Sequence, residues 1–138
     1  MARTARTFTA SLVAAGLVGA TLLAAAPAMA GDGVPAKTYT QVGEYRTTTK
    51  GVPQTITFTK DGKVFGDSGC NRFTGGYTTK GNHITIGPLA STLMACPDPQ
   101  MSAEFTFMSK LQSAKTFKAT ATNLKLIGSK GTLTLKRQ

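Results

Sequence analysis

The chain has no tryptophan, only one histidine and only six acidic residues among its 138 residues. Because histidine and carboxylates supply most general acid–base chemistry, their scarcity predicts a protein that is not an enzyme. The lack of tryptophan, with no cluster of other aromatics for base stacking, argues against nucleic-acid binding. No cofactor motif is present, and no cofactor is expected. The six acids are Asp32, Glu44, Asp61, Asp67, Asp98 and Glu104.

Two patterns suggest chemistry that the rest of the chain does not support. Gly66-Asp67-Ser68-Gly69 matches the segment around the nucleophilic serine of trypsin-like proteases, which also need a histidine and an aspartate upstream. Here the only histidine, His83, follows the serine, so we interpret the segment as a strand end with a turn. Cys70, Cys96 and His83 offer three zinc ligands without metal-binding spacing. We therefore predict no metal site, and we place His83 on the outward side of a strand.

Residues 1–30 have the features of a secretory signal peptide. Arg3 and Arg6 precede an apolar run from Leu12 to Ala26, and Ala28-Met29-Ala30 supplies small residues for signal peptidase. A transmembrane anchor is the alternative, but the run is short, is interrupted by glycines and has no charged stop after it. We expect cleavage after Ala30, no stable membrane anchor and no lipid-attachment cysteine. The mature protein would be periplasmic or secreted.

Removal of the signal peptide leaves 108 residues, enough for one domain with a modest core. It takes away Arg3 and Arg6 but no acid, so the net charge falls from +10 to +8. Two cysteines in a small exported chain predict a disulfide between Cys70 and Cys96 rather than a metal or redox pair. Closing that loop would add roughly 3 to 4 kcal/mol of stability in the chain-entropy model.

Alternation of apolar side chains with threonine and other polar residues dominates the mature chain and predicts β-strands. Short turns containing glycine or asparagine join these strands into antiparallel hairpins, which together make a meander. The predicted strands are Thr55–Thr59 with Lys63–Phe65, Phe73–Thr79 with His83–Ile86, and 117–121, 124–126 and 133–135 at the end of the chain.

One segment has helical rather than strand periodicity. Asp98 is predicted to be the N-cap, with Pro99 at the first helical position. The apolar residues that follow predict an amphipathic helix with one face buried against the sheet, where methionines fill gaps in the core. That predicted buried face consists of Met101, Phe105, Met108 and Leu111.

The Cys70-Asn71-Arg72-Phe73 and Met94-Ala95-Cys96-Pro97 segments, with the helix pattern after them, resemble the META domain, also called the HslJ-like domain. The resemblance covers roughly Thr55 to Lys136 and implies a mainly β, α+β fold. We expect a small antiparallel β-barrel or strongly curled sheet with one packed α-helix. The resemblance also implies a non-enzymatic accessory or envelope-stress protein outside the cytoplasm, in a family associated with heat-shock induction.

The signal-peptide features and the resemblance together divide the chain into three segments. We assign residues 1–30 to the signal peptide, 31–53 to a poorly defined segment and 54–138 to the META domain. The middle segment is rich in glycine, proline and polar residues, with a possible edge strand near Gln41 to Thr47. Family members usually begin with a more apolar strand at this point, and the chain departs from the family there.

Asn71, Arg72 and Phe73 belong to the motif and form either a structural corner or an exposed recognition loop. Asparagine suits a corner because it tolerates left-handed backbone and bonds to its own turn. Arg72 is expected to pair with Asp67 or Glu104, and the alternative is that it binds an anionic ligand. We favour the structural role for this motif.

The end of the chain is strongly basic, with seven basic residues and no acid after Glu104. Strand alternation places Lys118 and Lys125 on the outward side of neighbouring strands. Such a face would attract anionic lipids, acidic polymers or an acidic protein surface, and the alternative is a solvated face that keeps the protein soluble. The predicted basic face consists of Lys118, Lys125, Lys130 and Lys136.

Two classes of function remain open on the sequence. The first is a binding or envelope-stress module that works through the basic face or through the loops around Asn71. The second is a protease-inhibitor-like module in which the disulfide-held loop from Met94 to Pro99 enters a protease cleft. The partner is unknown; it would be an exported protein or an anionic envelope component, and the protein itself is expected to be a monomer.

Overall fold

Residues 39–138, which a computed structural model describes, contain eight β-strands and one α-helix. Each strand pairs antiparallel with the next strand in sequence, and the sheet closes into a barrel. The elements are β1 (Gly43–Thr49), β2 (Val52–Phe58), β3 (Lys63–Asp67), β4 (Arg72–Lys80), β5 (His83–Ser91), α1 (Gln100–Gln112), β6 (Ala114–Ala119), β7 (Asn123–Gly128) and β8 (Gly131–Arg137).

The predicted hairpins are confirmed. β2 pairs with β3, β4 pairs with β5, and β6, β7 and β8 form the final meander. The turn between β2 and β3 contains Gly62, whose φ of +83° lies in the left-handed region that favours glycine. Local turn chemistry and two-residue alternation therefore account for most of the sheet.

The strand predicted near residues 41–47 is present as β1, but its prediction as an edge strand is wrong. β1 pairs with β2 along its whole length. It also pairs with β8, where Tyr45 lies opposite Arg137 and Arg46 lies opposite Lys136. This pairing closes the barrel, which thus includes residues that precede 54. The partner strand lies at the other end of the chain, so short-range patterns carry no sign of it.

The interior of the barrel is filled by one continuous apolar core. Phe58 packs edge-on against Tyr77 and Tyr45, with ring centroids 5.0 and 6.3 Å away. At the helix, the Phe107 ring lies 5.7 Å from the Phe73 ring. Further apolar residues of the strands that are buried in this core are Ile56, Val64, Ile84, Phe117, Leu124, Leu126, Leu133 and Leu135.

Helix α1 connects β5 to β6, and its buried face differs from the prediction. Ala103, Phe107 and Leu111 are the buried residues, whereas Met101 and Phe105 are exposed. Of the predicted face, only Leu111 is fully buried. The helix carries apolar side chains on two sides, so sequence periodicity alone did not identify the side that faces the barrel.

The start of α1 is one residue later than predicted. The N-cap is Pro99 and the first helical residue is Gln100. Asp98 was expected to be the N-cap, but that position is taken by Pro99, whose side chain makes no cap hydrogen bond. The Asp98 carboxylate instead accepts a long hydrogen bond, 3.3 Å, from the backbone N–H of Ser102.

Arg137 holds the segment before β1 against the barrel. Its two Nη atoms donate to the carbonyls of Val42 and Thr40, each at 2.9 Å. Its guanidinium also lies 5.0 Å from the centre of the Tyr45 ring. The Tyr45 hydroxyl donates to the Gln41 carbonyl at 2.9 Å. Burial raises the pKa of Tyr45, and the charge of Arg137 acts in the opposite direction.

The predicted signal peptide and its cleavage site after Ala30 lie outside the described residues. Among residues 39–138, no helix is both long and apolar enough to cross a membrane.

Candidate functional site

The two cysteines form the predicted disulfide. Cys70 lies between β3 and β4, and Cys96 lies between β5 and α1. Their sulfur atoms are bonded at 2.06 Å and their Cα atoms are 6.1 Å apart, within the usual range. The bridge joins two loops that are far apart in sequence, and it fits an oxidising location outside the cytoplasm.

Asn71 is buried beside this disulfide. Its side-chain oxygen accepts from the Met94 N–H at 2.7 Å and from the Thr92 hydroxyl at 2.8 Å. Its amide nitrogen donates to the Met94 carbonyl at 3.1 Å and to the Glu104 carboxylate at 3.0 Å. The side chain therefore joins the β3–β4 loop to the loop before α1 and to the helix itself.

Glu104 connects the helix to the β3–β4 loop through further bonds. Its carboxylate accepts from the backbone N–H of Asn71 at 2.8 Å and from the Ser68 hydroxyl at 2.8 Å. From β2, the Gln54 amide donates to the carbonyls of Ser68 at 3.0 Å and Ala103 at 3.2 Å. Hydrogen bonds to a charged group are stronger than neutral ones and rigidify a partly buried network. We call these four side chains, Gln54, Ser68, Asn71 and Glu104, the Asn71 network.

The network accounts for the serine of Gly66-Asp67-Ser68-Gly69. Ser68 is fully buried at the end of β3 and bonds to Glu104, so it is not an exposed nucleophile. His83 is exposed and lies opposite Thr116 in the β5–β6 pair, as its outward placement predicted. Within residues 39–138, no three His, Cys, Asp or Glu side chains come together as a metal site.

The loop from Thr92 to Pro97 is fixed at every second residue. The Thr92 N–H donates to the Arg72 carbonyl at 3.0 Å. Met94 is bonded on both backbone groups by Asn71, and Cys96 is held by the disulfide. Between these points, the backbones of Leu93 and Ala95 make no hydrogen bond to the described residues. The Leu93 side chain is 96% exposed.

A groove of about 490 Å³ separates this loop from α1. Asn71 and Glu104 line it together with apolar side chains from both walls. Phe105 is 75% exposed there, although it is a large aromatic residue. We call this feature the apolar groove; its large apolar residues are Leu93, Met94, Met101, Phe105 and Met108.

Arg72 and Phe73 point in opposite directions. Phe73 is buried in the core, whereas Arg72 is exposed. Neither ion pair expected for Arg72 forms: Asp67 lies opposite it on β3 without an ion pair, and Glu104 bonds to the Asn71 network. The one ion pair within 4 Å among residues 39–138 joins Lys63 and Asp61. Arg72 instead lines a second groove, about 620 Å³, across β2, β3 and β4.

The barrel brings together three of the four lysines of the predicted basic face. Lys118 on β6 lies directly opposite Lys125 on β7. Lys136 is on the next strand, where it faces Arg46 of β1. Lys130 is in the β7–β8 turn, at the other end of that hairpin from Lys136. Arg46 was not predicted, because only barrel closure places it beside Lys136.

Comparison with known proteins identifies a family. A family model described as the META domain matches residues 37–138. A protein solved by NMR is 28% identical, with a TM-score of 0.56, over 70% of this chain and 90% of its own. An NMR structure of a protein from Burkholderia xenovorans is 21% identical, with a TM-score of 0.59, over 83% and 99%. The similarity to the Burkholderia xenovorans protein is evidence for a shared fold only. No curated protein matches the chain.

Proposed function

The chain belongs to the META domain family, and on this premise we propose that it is a non-enzymatic accessory protein outside the cytoplasm. It works by binding an extended segment of an exported partner protein in the apolar groove. The Cys70–Cys96 disulfide supports the location. Export through a signal peptide cleaved after Ala30, a periplasmic or secreted mature form, and a role in envelope stress belong to the same proposal.

The observation that carries the proposal is the exposure of large apolar side chains on both walls of one groove. Leu93 and Phe105 are the most exposed large apolar residues among those described. Single exposed apolar residues are common, but a contiguous apolar patch at a concave site is typical of an interaction surface. Methionines on both walls, Met94 and Met101, suit such a surface because their flexible side chains adapt to different partners.

The loop wall of the groove offers backbone groups as well as side chains. Leu93 and Ala95 alternate with anchored residues, and their N–H and C=O groups make no hydrogen bond to the described residues. In an extended segment, the backbone groups of alternate residues lie along one edge. An extended peptide can add to such an edge as a further strand, with alternate side chains entering the neighbouring apolar pockets. We therefore infer an occupant with alternating apolar and polar residues.

The groove is held in shape before any partner binds. The disulfide fixes one end of the loop at Cys96, and the Asn71 network fixes Met94 and the helix at Glu104. A preorganised site loses less conformational entropy on binding than a flexible loop does. The structural role that the sequence favoured for Asn71 therefore supports the binding role of its neighbours.

The test uses a panel of short synthetic peptides in which apolar and polar residues alternate, which we call the alternating peptides. We expect Leu93→Ala and Phe105→Ala each to weaken binding of the tightest-binding alternating peptide at least about tenfold. Losses of this size are typical when a central apolar anchor is removed. The melting temperatures of both variants should stay close to that of the unchanged protein, because both side chains are exposed.

Two controls make the result specific. Phe65→Ala removes another exposed aromatic residue, on β3 and outside the apolar groove, and should leave binding unchanged. Proline in place of alternate peptide residues removes backbone N–H donors and should abolish binding if the peptide adds as a strand. If no alternating peptide binds, or if all three variants bind equally well, the proposal is wrong.

A protease-inhibitor-like function is the second candidate, and one observation favours it. Leu93 protrudes between Thr92 and Met94, both of which are held by Asn71. A rigid loop whose leucine is 96% exposed resembles a substrate that fits a hydrophobic specificity pocket. We expect inhibition of secreted proteases that cleave after apolar residues, and Leu93→Lys should shift inhibition toward trypsin-like enzymes. Lack of inhibition across such a panel would remove this candidate.

A further inference from the structure

We propose that the outer face of β6, β7, β8 and β1 docks the protein on an anionic phospholipid surface. The four side chains that form this contact are called the basic stripe: Lys118, Lys125, Lys136 and Arg46. The apolar groove is built from the β5–α1 loop and the helix, so this second surface is independent of the proposed function.

The strand register makes the stripe continuous. Lys118 and Lys125 are direct cross-strand partners, and so are Lys136 and Arg46. Lys125 faces Thr134 and Lys136 faces Asn123 in the β7–β8 pair, so the two lysines are diagonal neighbours. Diagonal side chains on adjacent strands lie within about 7–8 Å of each other. One positive charge therefore follows another across four adjacent strands.

The stripe contains two like-charge pairs, and none of their side chains has an ion-pair partner within 4 Å among the described residues. Like charges directly opposite each other destabilise a sheet. All four side chains are exposed. Glu44, two residues before Arg46 on β1, is the only acid on these four strands. An anionic partner would remove the repulsion, and this charge complementarity indicates an anionic occupant.

The shape of the face that carries the basic stripe favours contact with a membrane surface over a ligand held in a groove. Four strands span about 14 Å across the sheet. Three grooves among the described residues lie on β2–β5 and beside α1, and the basic stripe lines none of them. The neighbouring outward side chains on β8 and β1 include Thr132, Thr134 and Thr48 rather than large apolar residues. Binding would therefore be peripheral and electrostatic, without insertion of side chains into the bilayer.

The experiment measures partition of the protein recovered from its host onto vesicles of phosphatidylglycerol and phosphatidylcholine. We expect binding to anionic vesicles at low ionic strength, loss of binding at high salt, and none to pure phosphatidylcholine. A basic residue near such a surface contributes about fivefold in partition, which corresponds to about 1 kcal/mol. Lys118→Glu with Lys125→Glu should therefore lower partition by about 25-fold or more.

The matched control is Lys60→Glu with Lys130→Glu, which changes the net charge equally outside the stripe. It should reduce partition much less than the stripe variant does. An equal loss of partition in both variants would show that net charge alone determines vesicle binding, and it would overturn the proposal. Absence of binding to anionic vesicles, or binding to soluble polyphosphate but not to vesicles, would also overturn it. None of these three results would affect peptide binding in the apolar groove.

Discussion

Asn71 shows how one buried side chain can organise three separate parts of the chain. Its amide bonds to Met94 and Thr92 in one loop and to Glu104 on α1, while its own backbone belongs to another loop. The sequence predicted a structural corner at Asn71 from the local preferences of asparagine. It did not predict these partners, because they lie more than twenty residues away and no local pattern connects them.

Replacing Asn71 by alanine should destabilise the fold by about 2–4 kcal/mol. The reason is that both backbone groups of Met94 and part of the Glu104 carboxylate would lose their partners next to the core. Urea denaturation of the variant measures the loss. Asn82→Ala is the control, because Asn82 is exposed in the β4–β5 turn and should cost well under about 1 kcal/mol. Similar losses for both variants would contradict the role of the network.

Tyr45 should make stability depend on pH in the alkaline range. Burial raises its pKa above the ordinary value of 10.0, so the folded state favours the protonated hydroxyl. As the pH rises, the unfolded chain releases this proton first. The contribution to stability is therefore full below about pH 10 and is lost as the pH rises through the folded-state pKa.

The check is the free energy of unfolding measured from neutral to strongly alkaline pH. Tyr45→Phe should show a shallower fall of the unfolding free energy with pH than the unchanged protein, since the variant lacks the hydroxyl whose pKa burial raises. Phenylalanine also loses the hydrogen bond to Gln41, so the variant should be less stable at neutral pH. Identical pH slopes would refute the assignment to Tyr45.

At the scale of the elements, the hairpins were predictable and the helix face was not. Hairpins depend on short turns such as Asp61-Gly62 and on alternation within each strand, both of which are local. The buried face of α1 depends on what it packs against. Met101 and Phe105 form one apolar face, Ala103 and Phe107 form another, and only the barrel selects between them. The exposed face that sequence analysis assigned to the core is a wall of the candidate site.

Gly66 should be the least replaceable residue of β3. A Cβ atom at this position would lie 2.1 Å from the Thr55 carbonyl oxygen on β2, and backbone must move to relieve that contact. We expect Gly66→Ala to cost about 2 kcal/mol or more in thermal or urea unfolding. Gly76→Ala is the matched control on β4, because its Cβ would lie 3.7 Å from the nearest atom. Equal stability of the two variants would show that the β2–β3 approach is looser than described.

At the scale of the whole molecule, two long-range connections complete the fold. Pairing of β1 with β8 closes the barrel, and the disulfide joins the loops on either side of β4 and β5. The disulfide was predictable, since the chain has only two cysteines. The closure was not, because the strand order around a barrel depends on pairing between chain ends and leaves no local signal. For the same reason, the predicted basic face did not include Arg46.

Removal of the disulfide by Cys70→Ser with Cys96→Ser should cost about 3 kcal/mol, because the unfolded chain regains the freedom of a 26-residue loop. For a domain of this size, the melting temperature should fall by roughly 15 °C. Circular dichroism should show that the barrel remains, since its core does not include the bridge. A melting temperature within a few degrees of the unchanged protein would mean that the loops are held without the bridge.

The central claim is that a partner strand adds to the loop edge of the apolar groove, and amide hydrogen exchange tests it most directly. In the free protein, the amides of Leu93 and Ala95 should exchange fast, whereas the Met94 amide should be protected by Asn71. With a bound alternating peptide, the first two amides should become protected as well. If the peptide binds and their exchange does not slow, the partner does not add as a strand here and the account is wrong.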